Sequence, residues 1–418
     1  MIALALRSLW SRRLSVGLTV LTLALSVALF LTVERLRQSA RDSFDGTVSG
    51  VDVLVGARSG DLSLLLYTVF QLGDAAPSMR WSSFEAVQAD ERVDWAIPLS
   101  LGDSHRGYRV VATSAEYFER IKTGRDRPLD FSADNGQRLD GFGVVIGANI
   151  ARDLNYSVGS KVVVQHGLAS AGNGAHDALP FSVTGVLRPT GTPIDYSLFV
   201  SVEAFEAIHV GWTPAGAVGE GVAADVNLNT GEFEPSIITA VLVGLKSKRR
   251  IFQFNEDIEN REDEPLTAVL PGVTLSQLWV LVGSAERALQ ALSVLIIAVA
   301  LIGLVTLLIA TLDARRREIA IYRALGAPPR TVAALLVVEA FLIGLGAALL
   351  GLALAVTGTL VASRLLGAYL RLDVGALALT PEQGLALMAF VVISALAGLI
   401  PAGLAYRASV QDGMRARN

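Results

Sequence analysis

Leu312-Asp313-Ala314-Arg315-Arg316-Arg317-Glu318-Ile319-Ala320-Ile321-Tyr322-Arg323-Ala324-Leu325-Gly326-Ala327-Pro328-Pro329-Arg330 joins two apolar runs, each long enough to cross a bilayer. Five arginines and two acids in 19 residues keep this stretch in water. The excess of basic residues predicts that this water is cytoplasmic. Arg317 to Leu325 reads as a short amphipathic helix: Ile319, Tyr322 and Leu325, at i, i+3 and i+6, share a face, while Glu318 and Arg323 point elsewhere. Gly326 followed by Pro328-Pro329 stops it. A basic loop that only fixes topology is the plainer reading of the same residues.

The apolar runs outward from this stretch give four spans. Leu14 to Val33 is 20 residues without a charge, enough to cross ~30 Å of hydrocarbon. It exceeds a usual signal-peptide core, and no small-x-small site follows before Glu34, so it is expected to stay as an anchor. Ala288 to Leu312 is the second span, Val332 to Val361 the third and Leu385 to Ala405 the fourth. Lys and Arg number three in residues 1–13, five in the central stretch and three in the tail, against two in the 362–384 loop. Both termini and the 313–331 stretch are therefore predicted to be cytoplasmic, with residues 34–287 on the far side.

Those 254 residues hold no run able to span and are ample for a core of their own. Strands are predicted at Val51–Val55, Tyr108–Ala112, Gly143–Ile146, Ser160–Gln165, Phe181–Leu187, Leu198–Val202 and Ala240–Leu245. Helices are predicted at Trp81–Ala89, Ala115–Ile121, Asn149–Leu154, Val202–Ile208 and Phe252–Asn260. Asp103, Gly107, Gly172-Asn173-Gly174 and Pro189 to Pro193 read as turns. The pattern is α+β without regular βαβ alternation. A mean hydropathy of +0.50 beside 18% charged residues fits such a mixture of membrane and soluble parts.

Several chemistries are disfavoured. Net charge is −4 with no basic domain, which argues against nucleic acid. There is no cysteine, so disulfides and thiolate-bound metals are excluded. No Gly-x-x-x-x-Gly-Lys-Ser/Thr loop cradles phosphates, and no Gly-x-Ser-x-Gly or His-Glu-x-x-His occurs. His105, His166, His176 and His209 all fall in the external part; His166, His176 and Asp177 match no ligand spacing, and scattered surface histidines are the expectation. The acidic run Asn255 to Glu264 reads as a solvated helix and turn. Glu339 is the single charge inside a span, a candidate for structural or coupling duty because burying an acid there costs at least ~2.5–3.5 kcal/mol unless it is paired or hydrated. Gly344, Gly346, Gly351 and Gly358 in the third span suit close helix packing, within one subunit or across a dimer.

Arg316 to Ala327, Arg-Arg-Glu-Ile-Ala-Ile-x-Arg-Ala-Leu-Gly-Ala, closely resembles the cytoplasmic loop of the FtsX-like permease family, the membrane subunits of MacB- and LolC/LolE-type ABC transporters. Gly50 to Ala57, Arg188 to Asp195 and Thr239 to Lys246 also resemble external-domain phrases of this group. In the tail, Pro401-Ala402 and Ala405-Tyr406-Arg407 fit the family, but Ser409 to Arg415 replaces its usual Asp-Pro form.

The resemblance implies a type VII exporter fold: four transmembrane helices with a large mixed α/β periplasmic domain, stalk helices at both its ends, inserted between helices one and two. It implies a non-catalytic permease subunit of the bacterial inner membrane. ATP hydrolysis would belong to a separate ABC ATPase subunit, with no cofactor held by this chain. Arg316, Arg317, Glu318, Ile319, Tyr322, Arg323, Ala324, Leu325, Gly326 and Ala327 would form the coupling helix that docks on that ATPase. A second permease subunit, identical or a sister chain, membrane lipid, and a periplasmic adaptor or lipoprotein are the other implied partners. Closure of the ATPases would be relayed outward by mechanotransmission. The alternative is an FtsX-like regulator that activates a cell-wall hydrolase.

Overall fold

The computed structural model describes residues 2–47, 49–73, 77–124, 126–136, 138–166, 179–209, 212–213, 216–217, 235–314, 328–370 and 379–404. The chain divides into two compact units, one of residues 1–38, 283–367 and 374–418, the other of residues 39–282 and 368–373.

The helices that matter below are α1 (Ile2–Ser11), α2 (Arg13–Thr47), α3 (Asp61–Thr68), α4 (Trp81–Gln88), α5 (Tyr117–Arg120), α6 (Ala148–Asp153), α7 (Val202–His209), α8 (Ile251–Glu259), α9 (Pro271–Ala314), α10 (Pro329–Leu370) and α11 (Pro381–Ala397). The main sheet comprises β1 (Val53–Ala57), β2 (Val93–His105), β3 (Tyr108–Thr113), β4 (Phe131–Asp134), β5 (Gly143–Ile146), β6 (Lys161–Val162), β7 (Gln165–His166), β8 (Phe181–Leu187), β9 (Ser197–Ser201), β10 (Ala240–Leu245) and β11 (Leu266–Val269).

The first unit is a helical bundle in which four helices are long and apolar enough to cross a membrane. Its core is Leu23, Val27, Leu31, Leu304, Leu308, Ile343 and Phe390, closed by alanines such as Ala340, Ala347 and Ala355. Apolar side chains on the outer faces, Leu18, Leu292, Leu295 and Leu396 among them, stay exposed, as a lipid solvent permits. α10 is the central helix: 44% of its most apolar window is buried, against 17–28% in the other three. Small residues let it approach its neighbours. A Cβ on Gly351 would lie 2.8 Å from the Ala24 carbonyl oxygen on α2, and one on Gly344 would lie 2.5 Å from Ser394 Cβ on α11. Gly398 meets Ala340 in the same way, while Gly346 and Gly358 face open space. Gly344 and Gly351 thus pack within the subunit.

The second unit is built on one sheet with strand order β11-β1-β10-β2-β3-β9-β5-β8-β4, with β7 added to β2 and β6 to β8. Most pairs are antiparallel, but β9 runs parallel to β3 and β8 parallel to β5. Alternation along the strands splits the side chains between faces. Leu54, Ile97, Leu99, Val111, Val145, Phe199 and Leu242 fill one core. Val53, Val55, Ala96, Val241 and Val243 turn the other way onto Phe84 and Phe254 of α4 and α8. In the other half of the sheet, Val110, Ala112, Val144, Ile146, Leu198 and Val200 do the same against Ile150 and Ile208 of α6 and α7.

β2 is the long strand that joins the two halves, and the sequence does not announce it. Pro98, Gly102 and Asp103 read as breakers. Yet Pro98 pairs with Val241 on β10 in the stretch before the β3 ladder begins at Ser100, so its missing N–H is not needed on the other side. Gly102 and Asp103 are absorbed in a register shift between Leu101 and Ser104. Asp103 is therefore within a strand, not a turn. Arg106 and Gly107, both at positive φ, make the hairpin that follows. The single strand expected at Ser160–Gln165 is instead β6 and β7, which pair with different neighbours. Gly172-Asn173-Gly174 lies outside the described residues.

Candidate functional site

Both connections between the two units run along continuous helices. α2 carries on from its apolar stretch to Thr47, and α9 begins at Pro271, before its own. By the ~1.5 Å rise per residue they are ~52 and ~66 Å long. Their ends are fixed inside the second unit by separate contacts. At the end of α2, Gly46 and Gly124 approach backbone to backbone: Gly124 N–H donates to the Gly46 carbonyl at 3.1 Å, and a Cβ on Gly46 would lie 3.2 Å from Gly124 N. Only glycine allows that approach. At the start of α9, Leu275 is buried in the same core as Leu54 and Leu242, with Leu278 against it. Arg41 of α2 lies over the Trp279 ring of α9, 5.1 Å from its centroid, so a cation–π contact joins the two helices.

The loop from α2 into the sheet is pinned by Asp52. Its backbone N–H donates to the Val243 carbonyl, its carboxylate accepts from Leu245 N–H at 2.9 Å, and Lys248 stands 3.5 Å away. A second hub is Asp195, 1% exposed, whose carboxylate accepts from Thr190 N–H, Thr190 Oγ1 and Gly191 N–H at 2.8–3.0 Å. Opposite it, a Cβ on Gly147 would lie 2.4 Å from the Asp195 carbonyl oxygen. Gly50 to Ala57, Arg188 to Asp195 and Thr239 to Lys246 are thus the phrases that hold the sheet core and its helix junctions.

The residues read as the coupling helix, Arg316, Arg317, Glu318, Ile319, Tyr322, Arg323, Ala324, Leu325, Gly326 and Ala327, lie outside the described residues, as does the tail from Ser409 to Arg415. The last described residue of α9 is Ala314, and Pro328 begins the next described segment. Glu339 is placed ten residues into α10, ~15 Å along it, and is 1% exposed. Leu336 and Ala340, its neighbours on the helix, meet Gly398 beyond α11.

The expectation of scattered surface histidines is corrected at two positions. His105, on β2, is buried; Nδ1 faces the Val163 carbonyl at 2.7 Å and Nε2 faces Tyr156 Oη at 3.0 Å. Burial drives its pKa below the ordinary value, against the opposing pull of the Val163 carbonyl. His209, at the end of α7, is half-buried with Nε2 3.3 Å from a carboxylate oxygen of the buried Asp103. Burial alone would lower its pKa, but the hydrogen bond and charge of Asp103 outweigh that and raise it. Both were misread because β2 was not expected there. His176 and Asp177 lie outside the described residues, and among those described no three His, Asp or Glu gather to hold a metal.

The acidic run is only partly solvated. Asp257 pairs with Arg92, and Glu264 accepts from Arg80 N–H and Ser83 Oγ, tying the loop after α8 to the start of α4.

An apolar four-helix bundle with a folded external domain threaded between its first two helices defines a transmembrane subunit of the permease type. Residues 16–261 match the MacB-like periplasmic core domain, and residues 291–410 match the FtsX-like permease C-terminal domain. The chain belongs to the MacB/FtsX-like ABC permease family, whose members are components of transporters that work with ATPase partners. Among solved structures, the periplasmic region of MacB from Actinobacillus actinomycetemcomitans is similar at 9% identity and TM-score 0.33, covering 55% of this chain and 95% of that one. The extracellular domain of the noncanonic ABC-type transporter YknZ from Gram-positive bacteria is similar at 14% identity and TM-score 0.31, covering 52% and 99%. No curated protein matches.

Proposed function

We propose that this chain is the permease subunit of a bacterial ABC transporter of the MacB/LolCDE class, which carries force from a separate ATPase to its periplasmic domain and so exports or extrudes a substrate. The observation that carries this reading is the pair of unbroken helices, α2 and α9, each anchored at its far end in the sheet core of the second unit. A continuous helix is stiff along its axis, so a shift imposed at one end arrives at the other. In this reading residues 316–327 receive the push in the cytoplasm, Leu325, Ile319 and Tyr322 seat in a groove of the ATPase, and the arginines set polarity around them. Glu339, buried in the helix that follows, holds α10 in register with that loop. The chain works beside a second permease subunit in the inner membrane, with both termini cytoplasmic.

The test is Leu325→Arg and Glu318→Arg in the complex with its ATPase. Both are expected to abolish transport-linked ATP hydrolysis while the thermal midpoint of the permease stays unchanged. Undiminished coupled hydrolysis in both variants refutes the docking role. A tag within residues 313–330 that is reachable only from outside the cell refutes the orientation.

A further inference from the structure

α2 carries a cation that its own chain does not satisfy. Arg35 is 8% exposed, and its Nε and Nη2 are buried without a hydrogen-bond partner. The acid beside it is occupied elsewhere: Glu34 accepts from Arg37 and, at 3.5 Å, from Gln290 of α9. Successive helical residues are also turned ~100° apart, so Glu34 and Arg35 face different ways. Leaving buried guanidinium donors unmatched is among the costlier arrangements a protein holds, and such donors call for an acceptor from outside the fold.

The depth of Arg35 says which acceptor. It lies 21 residues past Leu14, ~32 Å along the helix, or one hydrocarbon thickness. With Leu14 at one boundary, Arg35 stands at the headgroup layer of the other. A second unmatched group lies at the same end of the bundle. Gln383, in the first turn of α11, is 2% exposed, and its Oε1 has no partner, although its backbone N–H is taken by Thr380 Oγ1. Its neighbour Glu382 is close enough to Arg37 to act on that residue's charge, which fixes this turn beside the Arg35 end of α2.

A buried fork of cationic donors and a buried amide acceptor are complementary to one kind of molecule found at this depth. We propose that Arg35 and Gln383 hold a phospholipid headgroup: the phosphodiester accepts from the Arg35 guanidinium, and an ammonium or hydroxyl of the headgroup donates to Gln383 Oε1. Ethanolamine and glycerol headgroups carry such a donor, and choline carries none. The long Arg side chain reaches the headgroup layer by rotation about its own bonds. The site stands on the bundle alone and is independent of how the ATPase couples.

The test is lipid retention by the full chain, purified in mild detergent, supplied separately with phosphatidylethanolamine, phosphatidylglycerol or phosphatidylcholine, and weighed by native mass spectrometry. The wild type is expected to keep one ethanolamine or glycerol lipid at ~10-fold or more over choline, the ratio one charge-assisted or buried hydrogen bond gives. Arg35→Gln is expected to lose retention of every class, Arg35→Lys to keep part of it, and Gln383→Leu to remove the discrimination against choline. Equal retention of choline lipid by the wild type overturns the proposal without any variant needing to fold. So does full retention by Arg35→Gln. If Arg35→Gln breaks a dimer and leaves lipid retention intact, the missing acceptor is an acid of a second copy and the lipid site is refuted.

Discussion

Replacing Gly351 by alanine tests whether α10 is seated on α2 by close backbone approach. The new methyl would lie 2.8 Å from the Ala24 carbonyl oxygen, 2.8 Å from Val27 Cβ and 2.9 Å from Val27 Cγ1. Carbon pairs settle at ~3.5–4.0 Å, so the Val27 contacts are short by ~0.6 Å or more. The Ala24 oxygen is helical backbone and has no rotamer to move to. The two helices must part, and Leu23, Val27, Leu31, Ala347, Ala348 and Ala355 lose contact with one another. Overpacking of this kind costs ~1–3 kcal/mol. Removing a helical glycine returns up to ~1 kcal/mol. Gly346 and Gly358 separate the two effects, because nothing lies within 4 Å of a Cβ on either. In detergent, Gly346→Ala and Gly358→Ala are expected to unfold at or above the wild-type midpoint, and Gly351→Ala below both by an amount equivalent to ~1–3 kcal/mol. Equal midpoints for Gly351→Ala and Gly346→Ala would show that α2 and α10 are not packed as described.

The His209–Asp103 pair contributes stability that is full below pH ~6.5 and lost as pH rises through the raised value, so His209→Gln should flatten the fall of the thermal midpoint on the alkaline side. His105 has the opposite sign: its neutral, buried ring favours folding above ~6.5 and loses that contribution as pH falls, so His105→Gln should blunt acid destabilisation. Asp195→Ala strips the acceptor from Thr190 and Gly191 and is expected to cost about 2–4 kcal/mol, with Asp195→Asn between it and the wild type in chemical denaturation.

The sequence was most legible where one period ran unbroken. β5, β8 and β10 fall at the residues expected, because each is a short β-branched run bounded by turn residues. The spans were legible from length and charge alone. What local pattern hides is a residue whose meaning is set by a distant partner. Pro98 is tolerated in a central strand only because β3 starts two residues later. Trp95 spans the gap left by Gly244 across the ladder, where a Cβ would lie 2.2 Å from its ring, and neither residue signals the other in sequence. Gly344 and Gly346 look equivalent in the third span, yet one is wedged against Ser394 and the other faces open space. Arg35 reads as one more charge on a polar stalk, and its lack of a partner is visible only when the bundle is assembled.

The placement of the three external phrases bears on how force would leave the stalks. A push along α2 is useful only if its far end cannot slip, and slipping is prevented by contacts that side-chain rotation cannot relieve. The Gly46–Gly124 approach is of that kind, since it joins two backbones. So is the Asp52 clamp, which binds the β1 and β10 strand ends through Val243 and Leu245 main chain. α9 is held differently, by burial of Leu275 and Leu278, which resists withdrawal but leaves rotation about the helix axis freer. The two stalks are then unequal: α2 is keyed to the sheet and α9 is greased against it, with Arg41 on Trp279 as the link between them. Under the proposed coupling, motion entering on α9 would reach the sheet chiefly by tilting against α2. Cutting that link with Trp279→Ala should therefore lower coupled transport more than it lowers the stability of the external domain, and a parallel loss of both would place the ring in the fold rather than in the relay.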